Sequence, residues 1–333
     1  MTRSAICLAL AGFLLAGCTL TLPKATPPQP PAAAASAPAP ASAPAPAAAP
    51  APPPKPPEPP RAAIEPARVL QGDFAVLRLD QPVSGEVTVQ VQGLAEQPRT
   101  YRLEGRPVAF IGFPAAARVG VYPVTVTWPD GSWQGQVEVV KKAFTEDRLV
   151  VSQELENTYY DPRSDQEWAR VFALRSRSAP RPLWQTPFRV PLDGKLDITT
   201  YFGEIRYVNG KETGRHSGMD FGAGKGTPVH APAPGQVILA EKLILSGNMV
   251  IIDHGLNLFT AYYHCDTLKV KPGDWVETGQ VIGTVGNTGF SLGDHLHWTA
   301  TIGNTPVDPW PLTLMPPLGF RGPAAEPLRP TRS

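Results

Sequence analysis

The amino-acid sequence predicts an all-β protein with two globular parts, and three observations support that prediction. Residues 64–142 contain short runs in which apolar and polar residues alternate, as they do in strands with one buried face. From Leu196 onward similar short runs recur, with many glycines between them and without the pattern of a long helix. The segment between the two parts holds one short stretch of helical spacing, so the fold class is all-β with a partly helical connector.

The first globular part, residues 63–143, is predicted to be a β-sandwich. Asp130 and Gly131 stand between two alternating runs, which indicates a hairpin. About seven short strands in roughly 80 residues are typical of an immunoglobulin-like sandwich. Since this part contains no cluster of catalytic residue types, we interpret it as a spacer; substrate positioning or partner binding is the alternative.

The connector, residues 144–190, is predicted to contain a short helix. Ser164 and Glu167 have the spacing of a capping box, and apolar residues follow at helical intervals from Trp168 to Phe172. Several prolines from Pro180 onward prevent the helix from continuing. We therefore expect one face of this helix to pack on a neighbouring domain.

The N-terminus is typical of an exported protein. The apolar stretch Ala5–Leu15 is too short to span a membrane, and residues 1–17 are predicted to be a signal peptide. The letters LAGC, which end at Cys18, resemble the lipobox of bacterial lipoproteins. This resemblance implies that Cys18 is lipidated and anchors the chain in the cell envelope, facing the periplasm or the cell wall. Which membrane holds the anchor stays open, and cleavage without lipidation is the alternative.

Amino-acid composition indicates the nature of the remaining segments and of the binding partners. Residues 18–62 are rich in Pro and Ala and are predicted to form a disordered tether, and residues 316–333 form a Pro-rich tail. The net charge of +1 gives no indication of a nucleic-acid partner, and we predict none. The three cysteines are too scattered for a disulfide framework or a zinc knuckle.

Histidines in two distant segments indicate a metal site. His295 and His297 are two residues apart in a short apolar run, so on a strand they share a face. His216 and Asp220 are four apart among glycines, which again gives one face in an extended chain. Two imidazoles and a carboxylate suit Zn²⁺ and leave a fourth position open for water. His216, Asp220 and one histidine of the later pair are therefore a candidate ligand set.

Four stretches carry a family resemblance over about residues 195–312. In order they read HSGMDFG, AYYHCD, VKPGDWVETGQVIGTVGNTG and GDHLHW. Together they resemble the M23 family of metallopeptidases, the LytM- and lysostaphin-like peptidoglycan hydrolases. The resemblance implies that residues 191–315 form a two-sheet, barrel-sandwich-like β-domain with the metal in a groove across one sheet.

The resemblance also implies a role for each histidine. His216, Asp220 and His297 would hold one Zn²⁺ per chain, and His264 and His295 would be catalytic without binding the metal. One of these two would act as general base and the other would donate to the oxyanion; which does which stays open. The implied function is a membrane-anchored zinc metalloendopeptidase that hydrolyses peptidoglycan cross-links or stem peptides, with the cleaved bond undetermined.

Two alternatives to this function remain. A non-catalytic LytM-type regulator would bind and activate a cell-wall amidase, but such relatives usually lack a ligand or catalytic histidine, and here the set is complete. A carbohydrate-binding wall anchor built on the first globular part has weaker support. Autoinhibition by the connector or by the first globular part, an envelope protein partner and the oligomeric state are left open.

Other candidate side chains receive structural interpretations. His230 is expected at the surface or the rim, and His254 at a hairpin turn. Cys265 should turn away from the groove because it neighbours His264 on a strand. Asp253 and Asp294 are the remaining candidates, each able to orient a histidine.

Overall fold

The structure, a computed structural model, describes residues 58–319. The predicted signal peptide, Cys18, most of the tether and most of the tail lie outside the described residues. Within 58–319, none of the helices has the length and apolar character that a membrane crossing requires. The described residues lie in one compact unit, and strands dominate it, so the predicted all-β class is confirmed.

The N-terminal part consists of two four-stranded sheets. The first contains, in spatial order, β1 Ala62–Glu65, β3 Phe74–Leu79, β6 Arg106–Gly112 and β5 Tyr101–Leu103. The second contains β2 Arg68–Leu70, β8 Gly131–Val140, β7 Gly120–Trp128 and β4 Thr88–Val91. Side chains from both sheets, including Leu77 and Val124, share one core. The immunoglobulin-like topology stays a prediction.

The hairpin predicted at Asp130 is confirmed. Strands β7 and β8 pair antiparallel along their whole length, and Trp128 faces Gly131 across the two-residue turn. Along β7 the inward residues Val124 and Val126 are fully buried, while the next residue of the strand, Thr127, is exposed. The alternation in the sequence is therefore the alternation of the pleat.

The connector contains β9 Glu146–Leu149, α1 Gln153–Tyr159 and α2 Arg163–Leu174. The expected helical face exists, because Val171 and Trp168 pack against a sheet of the C-terminal part. The predicted capping box is wrong. Helix α2 begins one residue before Ser164, whose hydroxyl donates to the Asp161 carbonyl, and the Glu167 carboxylate accepts from the backbone N–H of Ile244 instead.

The C-terminal part is built on an eight-stranded sheet. Its path is β10 Ile198–Thr200, β13 Met219–Gly222, β21 His295–Ile302, β17 Leu258–Cys265, β16 Gly247–Asp253, β15 Gly235–Leu243 and β19 Trp275–Val276, with β22 Thr305–Val307 paired to β21. A three-stranded sheet of β14 Pro228–His230, β20 Val281–Thr284 and β18 Thr267–Leu268 accompanies it. Val229 and Ile282 of the small sheet share a core with Phe221 and Trp298 of the large one, as expected for a two-sheet domain.

A further small sheet joins the connector to this domain. It consists of β12 Lys211–Arg215, β11 Ile205–Val208 and the connector strand β9, which pairs parallel to β11. The short helix α3 Pro311–Leu314 and a 3₁₀ turn, Pro317–Gly319, end the described chain. The predicted domain limits stay predictions, but β9 shows that the connector contributes backbone to the C-terminal part.

The two β-parts also share buried contacts. Phe74 and Phe110 of the first sandwich sheet lie in one apolar cluster with Trp184, Phe188 and Ala300. Each buried phenylalanine of this cluster contributes on the order of 2 kcal/mol.

Candidate metal centre in a β-groove

Two neighbouring strands and the chain that leads into the first of them bring the predicted ligands together. Asp220 on β13 is the direct antiparallel partner of His297 on β21. His216 precedes β13, and the chain passes close behind His297 at Gly218, where an added Cβ would lie 2.9 Å from His297 Nε2. Glycine is therefore required between the first two predicted ligands, because a side chain would collide with the third.

The ligand atoms of these residues converge on one point. The Asp220 Oδ1 atom lies 2.7 Å from His297 Nδ1 and 3.0 Å from His216 Nε2, and the two nitrogens are 2.9 Å apart. All three residues are buried. Two imidazole nitrogens and one carboxylate oxygen at this separation can share one cation, and they match the donor types that Zn²⁺ prefers. The group can therefore bind a metal.

Contacts behind the rings fix which nitrogen faces the cluster. His216 Nδ1 donates to the Tyr201 carbonyl at 2.9 Å, which leaves the lone pair of Nε2 facing the cluster. His297 Nε2 lies 2.9 Å from Thr299 Oγ1, which leaves Nδ1 for the cluster. Such outer contacts set the tautomer and the ring orientation of a ligand histidine. Both rings are thus held ready for a cation.

The electrostatics favour an ionised Asp220 carboxylate beside a neutral His297 imidazole. Burial alone would raise the pKa of Asp220, but the neighbouring His216 and His297 lower it well below its ordinary value. Burial lowers the pKa of His297 to about 4, against the opposing effect of Asp220. At neutral pH Asp220 is therefore ionised and His297 is neutral, and these are the protonation states in which the two groups bind a divalent cation.

The two predicted catalytic histidines lie beside the cluster, on its open side. Their ring centroids are 4.8 Å apart, and His295 Nε2 is 3.9 Å from Asp220 Oδ1. His264 Nδ1 donates to the Thr288 carbonyl at 2.8 Å, and His295 Nδ1 donates to the Gly293 carbonyl at 2.9 Å. In both rings Nε2 is therefore the atom left for a reacting group.

The backbone of His264 is strained. Its φ is +59°, in the left-handed region that residues with a Cβ rarely adopt. Burial, followed by the nearby His295 and His297, lowers the pKa of His264 to about 3. The ring is thus neutral at physiological pH, and the bend at the end of β17 turns it toward His295.

A groove of about 210 Å³ opens over the cluster. Its walls include Asp220, His264, His295 and His297, together with hydroxyl and apolar side chains such as Thr200, Ser291 and Phe290. Two lining residues, Arg206 on β11 and Leu149 on β9, were not identified from the sequence. The segment around Arg206 carries no motif, and β9 is too short and too charged to show strand alternation.

The remaining candidate side chains have structural partners. His254 is fully buried; its Nδ1 donates to the Pro234 carbonyl at 2.8 Å, and Nε2 lies 2.7 Å from Thr260 Oγ1. Cys265 is buried in the core between the two sheets, and burial raises the pKa of its thiol to about 12. His230 is half-buried, and its Nδ1 donates to the Gly279 carbonyl.

The two carboxylates that were candidates for orienting a histidine bond elsewhere. Asp253 accepts from the Ser178 hydroxyl and from the backbone N–H groups of Ala179 and Gly255. Asp294, on the groove wall, accepts from the backbone N–H of Lys225 at 3.3 Å. Asp253 therefore holds the connector against the turn after β16.

The structure thus places a His-Asp-His cluster that could hold a metal in a groove, with two further histidines beside it. Residues 214–309 match the model of peptidase family M23. The chain therefore carries a peptidase family M23 domain, as the sequence motifs implied.

Known proteins share this domain. The peptidoglycan DD-endopeptidase ShyA of Vibrio cholerae is 37% identical over 121 residues, which are 36% of this chain and 28% of ShyA. The DD-carboxypeptidase/endopeptidase Mpg of Neisseria meningitidis is 40% identical over 102 residues, 31% of this chain and 24% of Mpg. The chain thus spans less than a third of either relative.

One solved structure extends the similarity beyond the domain. A crystal structure from Pseudomonas aeruginosa assigned to peptidase M23 is 28% identical, with a TM-score of 0.56. The match covers 73% of this chain and 94% of that one. The similarity therefore includes residues outside 214–309.

Proposed function

We propose that this protein is a zinc metalloendopeptidase of the cell envelope that hydrolyses peptide bonds in peptidoglycan cross-links or stem peptides. The observation that carries the proposal is the convergence of His216, Asp220 and His297 on one point, with His264 and His295 on its open side. The similarity to ShyA, a peptidoglycan DD-endopeptidase, supports peptidoglycan as the substrate class.

The contacts of each side chain indicate its role in the proposed hydrolysis. When bound at the cluster, Zn²⁺ supplies Lewis acidity that acidifies water and polarises the scissile carbonyl. His264 and His295 each have Nδ1 committed to a backbone carbonyl, so their Nε2 atoms carry the free lone pair. One Nε2 would take up the proton of the attacking water, and the Nε2–H so formed would donate to the developing oxyanion or return the proton to the leaving amine. The groove wall, including Phe290 and Leu149, shields the reacting bond from bulk water.

The N-terminal sequence supports a lipid anchor. Cleavage after residue 17 and lipidation of Cys18 would place the domain in the periplasm or at the cell wall, at the end of the Pro/Ala-rich tether. Incorporation of a fatty-acid probe into the wild type but not into Cys18→Ala tests the anchor. Equal labelling of both would contradict it.

Release of muropeptides from purified sacculi tests the activity. The full chain should release new peptide ends, identified by mass spectrometry, and a chelator should abolish the release until Zn²⁺ is restored. Sacculi of several peptide compositions are needed because the cleaved bond is not specified. Wild type that folds, takes up no zinc and releases nothing would contradict the enzyme and favour the amidase regulator.

A further inference from the structure

Arg206 lies at the edge of the proposed metal centre. It is on β11, and its guanidinium lines the groove. The Arg206 Nη2 atom is 3.9 Å from Asp220 Oδ2, the carboxylate oxygen that does not face the histidines. The other oxygen, Oδ1, makes the short contacts to His216 and His297. The two oxygens of Asp220 therefore have different surroundings.

A second carboxylate holds the guanidinium in place. Asp147, on the connector strand β9, is the direct parallel partner of Arg206. Arg206 Nε donates to Asp147 Oδ2 at 2.8 Å, and Nη2 lies 2.7 Å from the same oxygen. The side chains are only 20% and 11% exposed, so the pair is weakly screened by solvent. Nη2 thus lies between Asp147 and Asp220.

We propose that Arg206, held by Asp147, is a positioning residue for Asp220. It attracts Oδ2, so that the carboxylate presents Oδ1 alone to the metal. This inference rests on the proposed zinc function and adds a part of the site that the family match does not include, since both residues precede residue 214. It also makes the connector strand β9 a component of the metal centre.

Removal of Arg206 has two opposite effects on zinc affinity, one from the loss of its charge and one from the loss of its contact with Asp220. A nearby cation repels Zn²⁺, so loss of the charge alone would strengthen metal binding. Loss of positioning would weaken it, because the carboxylate could rotate away from the histidines. The double variant Asp147→Asn/Arg206→Met removes one charge of each sign and leaves the net charge unchanged, so that it isolates the positioning effect.

Zinc affinity of the full chain, measured by competition with a chelator, is the first readout. We expect the double variant to bind Zn²⁺ 10–100-fold more weakly, the usual cost of losing a contact behind a ligand. Glu146→Gln/Arg148→Met is the matched control, because this neighbouring pair, 2.7 Å apart on the same strand, is exposed. The control should bind Zn²⁺ like the wild type. Arg206→Lys, which keeps the charge but not the planar fork, should lie between the two.

The visible spectrum of bound Co²⁺ is the second readout, because it reports the coordination geometry. It should change in the double variant and not in the control. Zinc affinity of the double variant within twofold of the wild type, or weaker affinity with an unchanged Co²⁺ spectrum, would overturn the role of Arg206. A wild type that binds neither metal would overturn the proposed function itself, and this inference with it.

Discussion

At the scale of single residues, two neighbouring histidines have different tasks. His297 faces Asp220 across the strand pair, whereas His295 lies farther out, with its Nε2 3.9 Å from Asp220 Oδ1. His297→Ala should therefore lose both zinc and activity. His295→Ala should keep its zinc and lose turnover by a factor on the order of 10²–10³.

Zinc content by atomic absorption and muropeptide release by mass spectrometry measure the two effects separately. His254→Gln controls for loss of a buried histidine. His254 donates to the Pro234 carbonyl and is not one of the residues that line the groove. An empty metal site in His295→Ala together with a filled one in His297→Ala would reverse the assignment.

The buried His254 predicts how stability depends on pH. Burial lowers its pKa to about 4, so between pH 6.5 and 4 the unfolded chain binds a proton that the folded chain does not. The stability that His254 contributes is complete above pH 6.5 and is lost as the pH falls to 4. The full loss is about 3 kcal/mol.

Urea unfolding between pH 7 and pH 4 measures this contribution. We expect the free energy of unfolding of His254→Gln to fall less steeply over that range than that of the wild type. Equal slopes for both proteins would contradict the assignment of the buried neutral imidazole.

The sequence predicted some of these residues for sound physical reasons and missed others. Strand periodicity placed His295 and His297 on one face. His216, however, lies before β13, so the one-strand argument for His216 and Asp220 does not describe the observed path. Arg206 was missed because a cross-strand partner such as Asp147, 59 positions away, leaves no local pattern.

At the scale of elements, helix α2 shows the limit of local signals. Its apolar face was predicted from spacing alone and packs as expected. The capping box was wrong because a tertiary partner competes for Glu167: its carboxylate accepts from Ile244 N–H at 2.8 Å, on the chain leaving β15. A capping pattern in the sequence predicts only hydrogen bonds between residues close in the chain. It cannot predict that a distant backbone N–H group will bind the same side chain.

Glu167 is therefore predicted to stabilise the docking of α2. Glu167→Ala would leave the Ile244 N–H without its acceptor and should lower the free energy of unfolding by about 1–2 kcal/mol. Gln166→Ala, at an exposed neighbouring position, should change it by less than about 0.5 kcal/mol. Chemical denaturation of both variants tests this, and equal effects would contradict the role of the contact.

At the scale of the whole molecule, the site depends on strand order. Strands β13, β21 and β17 are adjacent in the sheet, although other strands and loops separate them in the chain. Periodicity indicates which side chains share a face but not which strands become neighbours. The motif resemblance implied a two-sheet domain with the metal in a groove across one sheet, but it gave no strand order. The packing of the two β-parts and the entry of β9 into the C-terminal part had no sequence signal.

A buried ion pair joins the end of the sandwich to the end of the peptidase domain. Lys142 Nζ donates to Asp308 Oδ2 at 2.7 Å, and their side chains are only 6% and 0% exposed. Lys142→Met would leave a buried carboxylate without its cation and should destabilise the protein by about 3–5 kcal/mol. Glu241→Gln, which breaks the exposed pair with Arg170, should cost less than about 1 kcal/mol.

The same variant tests whether the two β-parts unfold together. Because Phe74, Phe110, Trp184 and Ala300 lie in one cluster, loss of the Lys142 ion pair should shift a single transition rather than split it. Tryptophan fluorescence and far-ultraviolet circular dichroism should then report the same midpoint in denaturant. Two separate transitions in the wild type would show that the shared cluster does not couple the parts, and that the sandwich is an independent unit on which the peptidase domain does not depend.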